Sequence, residues 1–477
     1  MSDASFYFHD YETWGANPHY DRPSQFAGLR TNLELEPCGR PLTLFSQPTP
    51  DFLPHPQAVL VTGITPQFAL AQGTNEASFA AAIAAQMSVP NTTIIGYNNI
   101  AFDDEVTRHL FYRNFHDPYA HTWQHQNSRW DLIDLMRACY ALRPEGIEWP
   151  YHDDGRVSMR LEDLSKANGI EHANAHDAMA DVHATIGMAR KVKQAQPRLF
   201  AYAYGLRRKQ AVQQLIDLVN FEPRVHISGF YGALNGYVSV IMPLGYHPEQ
   251  PNTLLYWDLR HNPLEFLESS LDDLVERRFT PRKQLAEQGL SAFAGGTLQL
   301  NRCPFIAKLN VLDSTVQQRW NLDLEQLERH RQTLLAQSEL RDRLCQALLT
   351  SKTYDAVTDP DFMLYSGPFF SEQDRSNMDI IRNTAPEQLP GLTLNFSDSR
   401  LPEMLFRYRA RNYPSTLTDS ELLKWREFCQ GRLLSPPPGG LSAERFMQEL
   451  ELAAQQHSDN SRNMRLLNDL LRYAQSL

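Results

Sequence analysis

The segment Ser5-Phe6-Tyr7-Phe8-His9-Asp10-Tyr11-Glu12-Thr13 decides the fold of this chain. Residues 5–9 have the aromatic pattern of a short strand, which we expect to end on Asp10. Side chains two positions apart on a strand point to one face, so Asp10 and Glu12 would form a pair of carboxylates at the strand end. Two solvated acids beside a turn are the alternative, because a D-x-E triplet is common by chance.

Strand and helix signals alternate from this segment to about residue 195, which predicts an α/β core. Apolar residues at 58–61 are a second strand signal, 76–87 are good helix formers, and 92–97 are a β-branched strand closed by glycine. Helical patterns follow at 103–115, 131–142 and 160–193. Strand patterns separated by glycines come next, and from about residue 355 the chain is mostly helical. We therefore expect three domains, 1–195, 196–353 and 354–477.

The composition excludes several classes of protein. Hydrophobic residues make up 42% of the 477 residues and charged residues 21%, which excludes wholesale disorder. No run of about 18 apolar residues occurs, which excludes a transmembrane helix, and the acid near the N-terminus does not fit a secretory signal. The five cysteines are scattered and odd in number, so they fit neither a disulfide framework nor a zinc spacing. We expect a reducing, cytoplasmic location.

The acidity of the chain limits how it could bind nucleic acid. The net charge is −11 and the pI is near 5.8. A protein that binds nucleic acid with its whole surface is basic. If this chain binds nucleic acid, it must therefore do so through local basic and aromatic groups within an acidic body.

Two later segments add candidates to the carboxylate pair. Asp103 comes directly after a strand-to-helix turn, where the role of a helix N-cap is the alternative. His176 and Asp181 cannot share a helix face, but they can converge if His176 precedes the helix and Asp181 lies on its second turn. Taken alone, His176 is interpreted as a surface residue.

Together these segments resemble the histidine-type DEDD superfamily of 3′→5′ exonucleases. The order is D-x-E at Asp10 and Glu12, N-x3-F-D ending at Asp103, and H-x4-D from His176 to Asp181. The resemblance implies that the four carboxylates hold two Mg²⁺ ions, with Mn²⁺ as a substitute, and oxygen ligands suit such hard cations. It also implies that His176 is the general base that takes a proton from the attacking water.

Longer stretches resemble the bacterial exonuclease I family. They lie at 8–13, 61–66, 96–99, 102–108, 111–115, 128–132, 136–146 and 166–172. The resemblance implies an α/β ribonuclease H-like exonuclease core, an SH3-like β-rich domain with insertions and an α-helical C-terminal domain. It also implies a monomer that degrades single-stranded DNA processively from the 3′ end, releases 5′-mononucleotides and acts in DNA repair and recombination.

The residues between 101 and 145 suit a single-stranded DNA substrate. Arginine forks bind phosphate, so Arg108 and Arg137 are candidates for the DNA backbone. Tyr119 and Trp123 lie in a polar stretch, and aromatic faces stack on bases of any identity. Three other aromatic residues are expected in the core instead: Phe111, Phe115 and Trp130.

The exonuclease I resemblance implies further contacts. Glu12 and Arg160 match positions at the nucleotide near the active site, although a surface ion pair is the alternative for Arg160. Arg143 and Tyr202 match a pocket for the acidic, aromatic-ended C-terminal tail of single-stranded-DNA-binding protein. A basic group and an apolar pocket suit such a tail. The alternative is that Arg143 pairs with a neighbouring acid.

Two other functions remain open at this point. One is an exonuclease of the same superfamily with another substrate, such as an RNA-trimming enzyme or a proofreading subunit, although those chains are usually much shorter or joined to a polymerase. The other is a catalytically silent nucleic-acid-binding scaffold. The complete set of four carboxylates and a histidine argues against the scaffold.

Overall fold

The computed structural model describes residues 3–171, 177–352 and 357–477, which form two compact units. The first unit takes the described residues within 1–129, 171–186 and 355–477, and the second takes those within 130–170 and 187–354. The C-terminal part of the chain therefore belongs to the same unit as the N-terminal part.

The chain forms two five-stranded sheets. The strands are β1 (Ser5–Thr13), β2 (Pro23–Thr31), β3 (Leu42–Phe45), β4 (Thr92–Gly96), β5 (Ser128–Asp131), β6 (Arg224–Ile227), β7 (Val238–Tyr246), β8 (Thr253–Asp258), β9 (Gly295–Gln299) and β10 (Phe305–Ala307). The first sheet has the order β3-β2-β1-β4-β5, in which β1 is antiparallel to β2 and parallel to β4. The second sheet has the order β10-β6-β7-β8-β9 and is antiparallel throughout.

Helices precede, separate and follow the strands along the chain and make up most of its C-terminal part. They are α1 (Pro56–Thr62), α2 (Pro66–Gln72), α3 (Glu76–Met87), α4 (Asp103–Arg113), α5 (Leu132–Leu142), α6 (Leu161–Ala167), α7 (Ala178–Ala195), α8 (Pro197–Gly205), α9 (Lys209–Gln213), α10 (Leu271–Phe279), α11 (Arg282–Glu287), α12 (Ser314–Trp320), α13 (Leu324–Ala336), α14 (Ser338–Leu349), α15 (Glu372–Asn383), α16 (Leu401–Asn412), α17 (Asp419–Leu434), α18 (Ala443–Gln456) and α19 (Ser461–Gln475). Within the described part of the chain, no helix combines the length and the apolar character that a membrane span requires.

The local signals predicted many elements but misjudged three of them. The helical pattern at 160–193 is not one helix, because α6 ends at Ala167 and α7 begins at Ala178. The first strand does not end on Asp10 but continues to Thr13, because β2 pairs with it along that length. The apolar stretch at 58–61 is not a strand but part of α1. Pro56 begins this helix, and Gly63 ends it in the left-handed conformation with φ 72°.

The central strand β1 is held in place by helices packed on its sheet. Tyr7 of β1 and Phe26 of β2 share a hydrophobic cluster with Phe79 and Ile83 of α3 and with Leu110 of α4. All five side chains are buried. Their packing holds α4 against the sheet that contains β1, which matters for the site described below.

The C-terminal helices complete the core of the first unit. Trp14, Phe52 and Val59 share a second hydrophobic cluster with Phe446 of α18 and Leu470 of α19. Burial of large apolar side chains is the main source of folding free energy. Residues 357–477 are therefore an integral part of this unit's core.

A buried group of arginines and aspartates also joins these distant segments. The Asp51 carboxylate accepts hydrogen bonds from Arg22, Arg411 and Arg432 at 2.7–2.9 Å, and Asp361 pairs with the last two of these arginines. Both aspartates are almost fully buried. Burial alone would raise the pKa of each, but the arginines hold both pKa values well below the usual 3.8.

Removing one carboxylate from this group should destabilise the first unit strongly. Asp51→Asn removes one of the two buried carboxylates that face these arginines and takes the paired carboxylate from Arg22, so we expect a loss of about 3–5 kcal/mol in the free energy of unfolding. The measurement is a urea titration followed by circular dichroism. Arg445→Gln, which breaks an exposed pair with Glu449, is the control and should leave the midpoint almost unchanged.

The same group should make the first unit sensitive to acid. A carboxylate with a lowered pKa stabilises the fold above its usual pKa, and that stabilisation is lost as the pH falls through the folded-state value. The difference between wild type and Asp51→Asn should therefore shrink in acid below about pH 4. A difference that is constant between neutral pH and this range would contradict the proposed charge pairing.

Candidate active site

Three carboxylates meet at the end of β1. One oxygen from each of Asp10, Glu12 and Asp181 lies within 4.8 Å of the others, and all three residues are half-buried. The alternation of β1 places Asp10 and Glu12 on one face, as predicted. Asp181 comes from the first turn of α7, not from the predicted second turn. The structure therefore brings together three of the predicted site residues.

Asp103 lies beside this cluster. It is the first residue of α4 and is buried. Its Oδ1 accepts a hydrogen bond of 3.1 Å from the backbone N–H of Tyr11, the residue between Asp10 and Glu12. The N-cap position of α4 is Phe102, which makes no side-chain capping bond. The alternative role of Asp103 as a helix cap is therefore wrong.

The neighbouring Asp104 has a different role, which sequence reasoning missed. Its carboxylate forms a buried ion pair of 2.6 Å with Arg129 and accepts a hydrogen bond of 3.2 Å from Asn99. Burial would raise the pKa of Asp104, but Arg129 and Arg108 hold it below 3.8. Asp104 therefore stabilises the fold as a paired anion, while Asp103 belongs to the carboxylate cluster.

The start of α7 positions Asp181 through Asp177, another residue that sequence reasoning missed. Asp177 Oδ1 accepts hydrogen bonds of 3.1 and 3.3 Å from two backbone N–H groups in the first turn of α7. Its Oδ2 accepts one of 3.2 Å from Gln25 on β2. An aspartate directly before a helix is a capping signal, so the sequence did carry this information. His176 lies outside the described residues, and its role stays a prediction.

The cluster brings several carboxyl groups together in a partly desolvated environment, which raises the pKa values of Asp10 and Glu12. Burial, followed by the charges of Asp103 and Asp181, raises the pKa of Asp10 well above the usual 3.8. Burial, followed by Asp181 and Asp103, raises the pKa of Glu12 to about 8. A bound cation would relieve both the repulsion and the desolvation.

The donor set fits a divalent metal ion. Asp10, Glu12, Asp103 and Asp181 offer only carboxylate oxygens, which suit Mg²⁺ and Mn²⁺. The nearby His9 is not one of the grouped ligands, and its ring is buried with Nδ1 3.1 Å from the carbonyl oxygen of Ile95. Burial lowers the pKa of His9 to about 4, so this imidazole is neutral.

The predicted DNA contacts of the first unit lie on and after α4. Arg108 is buried, donates a hydrogen bond of 2.8 Å to Glu105, and lies over the Tyr119 ring at 5.3 Å. Trp123 is 63% exposed, as a stacking residue must be. The aromatic residues predicted in the core are all buried: Phe111, Phe115 and Trp130.

The other predicted DNA contacts lie in the second unit. Arg137 on α5 donates a hydrogen bond of 2.7 Å to Asp134. Arg160 directly precedes α6, and its exposed side chain forms a 3.1 Å pair with Glu162. This pair matches the surface alternative considered for Arg160.

Arg143 and Tyr202 line one cavity of about 680 Å³ in the second unit. The lining combines apolar and basic side chains, among them Leu142, Arg143, Leu199, Tyr202, Phe305 and Lys308. The Tyr202 hydroxyl donates a hydrogen bond of 2.8 Å to the carbonyl oxygen of Ile306. The Arg143 guanidinium lies 3.4 Å from Asp313, so the predicted pairing with an acid also occurs.

Known proteins resemble this chain over its whole length. Family models match at residues 7–188 (exonuclease), 207–349 (exonuclease I SH3-like domain) and 358–477 (exonuclease I C-terminal domain). Exodeoxyribonuclease I of Escherichia coli K12 is 45% identical over 474 residues, which cover 99% of this chain and 98% of that protein.

Solved structures agree with this result. The structure of E. coli exonuclease I in complex with a dA16 oligonucleotide has a TM-score of 0.95 and 45% identity, and the match covers 99% of this chain and 100% of that chain. A structure of SSB/exonuclease I in complex with the inhibitor CFAM has a TM-score of 0.89 and 44% identity, with 100% of both chains covered.

The carboxylate cluster at the end of the central strand includes residues of the region that the exonuclease family model matches, so the chain carries an exonuclease core whose donor set fits divalent metal ions. The predicted fold class is confirmed, because an SH3-like domain and a helical C-terminal domain follow that core. The chain belongs to the exodeoxyribonuclease I family.

Metal binding at this site should depend on pH. The pKa of Glu12 is raised to about 8 by burial and neighbouring carboxylates, whereas a metal ion binds the ionised carboxylate. Mg²⁺ affinity should therefore rise as the pH is raised towards about 9, and binding at neutral pH should release protons. Calorimetric titrations in two buffers with different ionisation enthalpies measure this release.

Glu12→Gln serves as the matched variant for this prediction. It cannot release the proton of Glu12, so the dependence on buffer should decrease, and the part that remains would come from Asp10, whose pKa is also raised. Mg²⁺ affinity that stays constant across the pH range, with heats that are the same in both buffers, would contradict the raised pKa values.

Proposed function

We propose that this chain removes nucleotides from the 3′ end of single-stranded DNA by metal-dependent hydrolysis of the phosphodiester bond. The observation that carries the proposal is the cluster of Asp10, Glu12 and Asp181 oxygens within 4.8 Å, with Asp103 beside it. The oligonucleotide complex of the E. coli relative supports single-stranded DNA as the substrate. The products would be 5′-mononucleotides, released processively.

Each site residue has a defined role in this proposal. Two Mg²⁺ ions, or Mn²⁺ in their place, would supply the charge that activates the attacking water and stabilises the leaving 3′-oxygen. Asp10, Glu12, Asp103 and Asp181 hold them, and Glu12 also faces the terminal nucleotide. His176 takes the proton from the water, because an imidazole titrates near neutral pH.

The proposed strand contacts combine stacking and phosphate binding. Tyr119 and Trp123 would stack on bases without distinguishing them. Arg108, Arg137 and Arg160 would bind phosphates. Each of these arginines already contacts a carboxylate, but a guanidinium has five N–H donors and can hold a phosphate oxygen as well.

Removing a metal ligand and removing the base should have different effects. Asp181→Ala should lower the rate of single-stranded DNA degradation by at least about 10³-fold and weaken Mg²⁺ binding, since it removes a ligand. His176→Ala should lower the rate by about 10²–10⁴-fold while Mg²⁺ and DNA binding stay nearly unchanged. The measurements are release of labelled nucleotides and calorimetric Mg²⁺ titration.

Asp153→Ala is the control for this pair, because Asp153 is an exposed acid remote in sequence from the cluster. It should keep full activity. Labelled duplex DNA and RNA serve as alternative substrates. Nuclease activity that persists in excess chelator, or in Asp181→Ala, would contradict the assignment, and degradation of RNA but not of single-stranded DNA would contradict the substrate.

We further propose that the cavity of Arg143 and Tyr202 binds the C-terminal tail of a single-stranded-DNA-binding protein. The cavity places the apolar side chains of Leu142 and Phe305 next to the cations of Arg143 and Lys308. This combination suits an acidic peptide that ends in an aromatic residue. The relative's structure with SSB supports the choice of partner.

Loss of Arg143 should weaken binding of the partner without changing digestion of the naked substrate. Arg143→Ala should weaken binding of the tail peptide about tenfold or more, because a hydrogen bond to a charged group is worth about 1.5–3 kcal/mol. Digestion of DNA coated with the binding protein should slow, while digestion of naked strands stays unchanged. Arg156→Ala, an exposed arginine of the same unit, is the control. Equal slowing on coated and naked DNA would place Arg143 in the substrate site instead.

We also propose that the protein acts as a cytoplasmic monomer in DNA repair and recombination. The five cysteines are odd in number and scattered along the chain, which supports a reducing compartment. We propose in addition that the chain divides into the domains 1–195, 196–353 and 354–477.

A further inference from the structure

A second group of metal-binding side chains lies on the first unit, outside the carboxylate cluster. His19, Glu105 and His109 each place one ligand atom within 4.8 Å of the other two. Glu105 and His109 are buried and lie four residues apart on α4, which puts them on the same face of the helix. His19 is exposed and comes from the loop between β1 and β2.

The spacing of the two imidazoles fits joint coordination of one ion. His19 Nδ1 and His109 Nε2 are 3.1 Å apart. Two nitrogen ligands bound tetrahedrally at the usual Zn–N distance are separated by about 3.3 Å. The present spacing also allows a direct hydrogen bond between the two rings, which is the alternative that an experiment has to exclude.

Glu105 can serve as the third ligand without leaving its present partners. Its carboxylate accepts hydrogen bonds from Arg108, at 2.8 Å, and from the hydroxyl of Tyr365. A carboxylate has about four acceptor positions, so it can contact both groups and a metal ion together. The Tyr365 ring lies edge-on to both histidine rings, with centroids 6.2 and 5.9 Å away, and encloses the group on one side.

The donor set differs in kind from that of the carboxylate cluster. Two imidazole nitrogens and one carboxylate oxygen suit Zn²⁺ and neighbouring transition metals, whereas oxygen-only sets suit Mg²⁺ and Mn²⁺. Three protein ligands leave room for a water molecule as the fourth. The two sites would therefore select different metals.

We propose that His19, Glu105 and His109 form a transition-metal site of the Zn²⁺ class, separate from the carboxylate cluster, that fastens the β1–β2 loop to α4. A ligand that binds only the folded protein stabilises it, so bound Zn²⁺ should also raise the melting temperature. The site does not depend on the proposed nuclease activity.

Zn²⁺ binding by the full chain in excess Mg²⁺ tests this proposal. Equilibrium dialysis with metal analysis should show that the wild type binds one Zn²⁺ more than His19→Ala, or binds the ion at least about tenfold more tightly. His19 is exposed, so the variant should fold. With Co²⁺ as a probe, the visible absorption of an imidazole-bound ion should be present in the wild type and lost in His19→Ala.

Two controls complete the test. His152→Ala removes another exposed histidine and should bind Zn²⁺ and Co²⁺ as the wild type does. His19→Ala should keep the Mg²⁺-dependent nuclease rate, which shows that the carboxylate cluster is intact. The proposal is overturned if wild type and His19→Ala have the same Zn²⁺ stoichiometry, affinity and Co²⁺ spectrum. That result would show that the two histidines only hydrogen-bond to each other.

Discussion

The carboxylates at the end of β1 repel one another, and the other contacts of the first unit have to offset this unfavourable interaction. Without a cation, burial and neighbouring negative charge raise the pKa values of Asp10 and Glu12, so the cluster does not stabilise the fold by itself. The scaffold holds the groups together by taking them from three elements, β1, α4 and α7. Each element is fixed by contacts that do not involve the site, such as the packing of α3 and α4 on the sheet.

The environment, and not the residue type, decides what each acid does. Asp103 and Asp104 are adjacent and both buried, yet one contacts the backbone of β1 and the other pairs with Arg129. Asp177 and Asp181 stand close together on the chain, yet one caps α7 and the other joins the cluster. A paired or capping carboxylate stabilises the fold, whereas burial and mutual repulsion raise the pKa values of Asp10 and Glu12 in the cluster, an effect that a bound cation would offset.

The C-terminal segment contributes directly to the unit that carries the site. Asp51 depends on Arg411 and Arg432 for its counter-charge, and Phe52 packs among side chains of α18 and α19. A buried carboxylate that loses its partners destabilises a protein strongly. The exonuclease core of this chain therefore depends on residues 357–477 for its stability, although two separate family models match the two regions.

The sequence by itself determined the α/β core, the limits of α3 and the identity of the carboxylates. These features follow from local rules, namely side-chain alternation on β1, helix formers at 76–87 and acids placed at element boundaries. It also indicated which aromatic residues are buried. Only the tertiary structure decided that Asp103 contacts Tyr11 instead of capping α4, and that His19 meets His109 across two elements. The physical reason is that such contacts join residues about 90 positions apart, and their geometry depends on how whole elements pack, which no local pattern encodes.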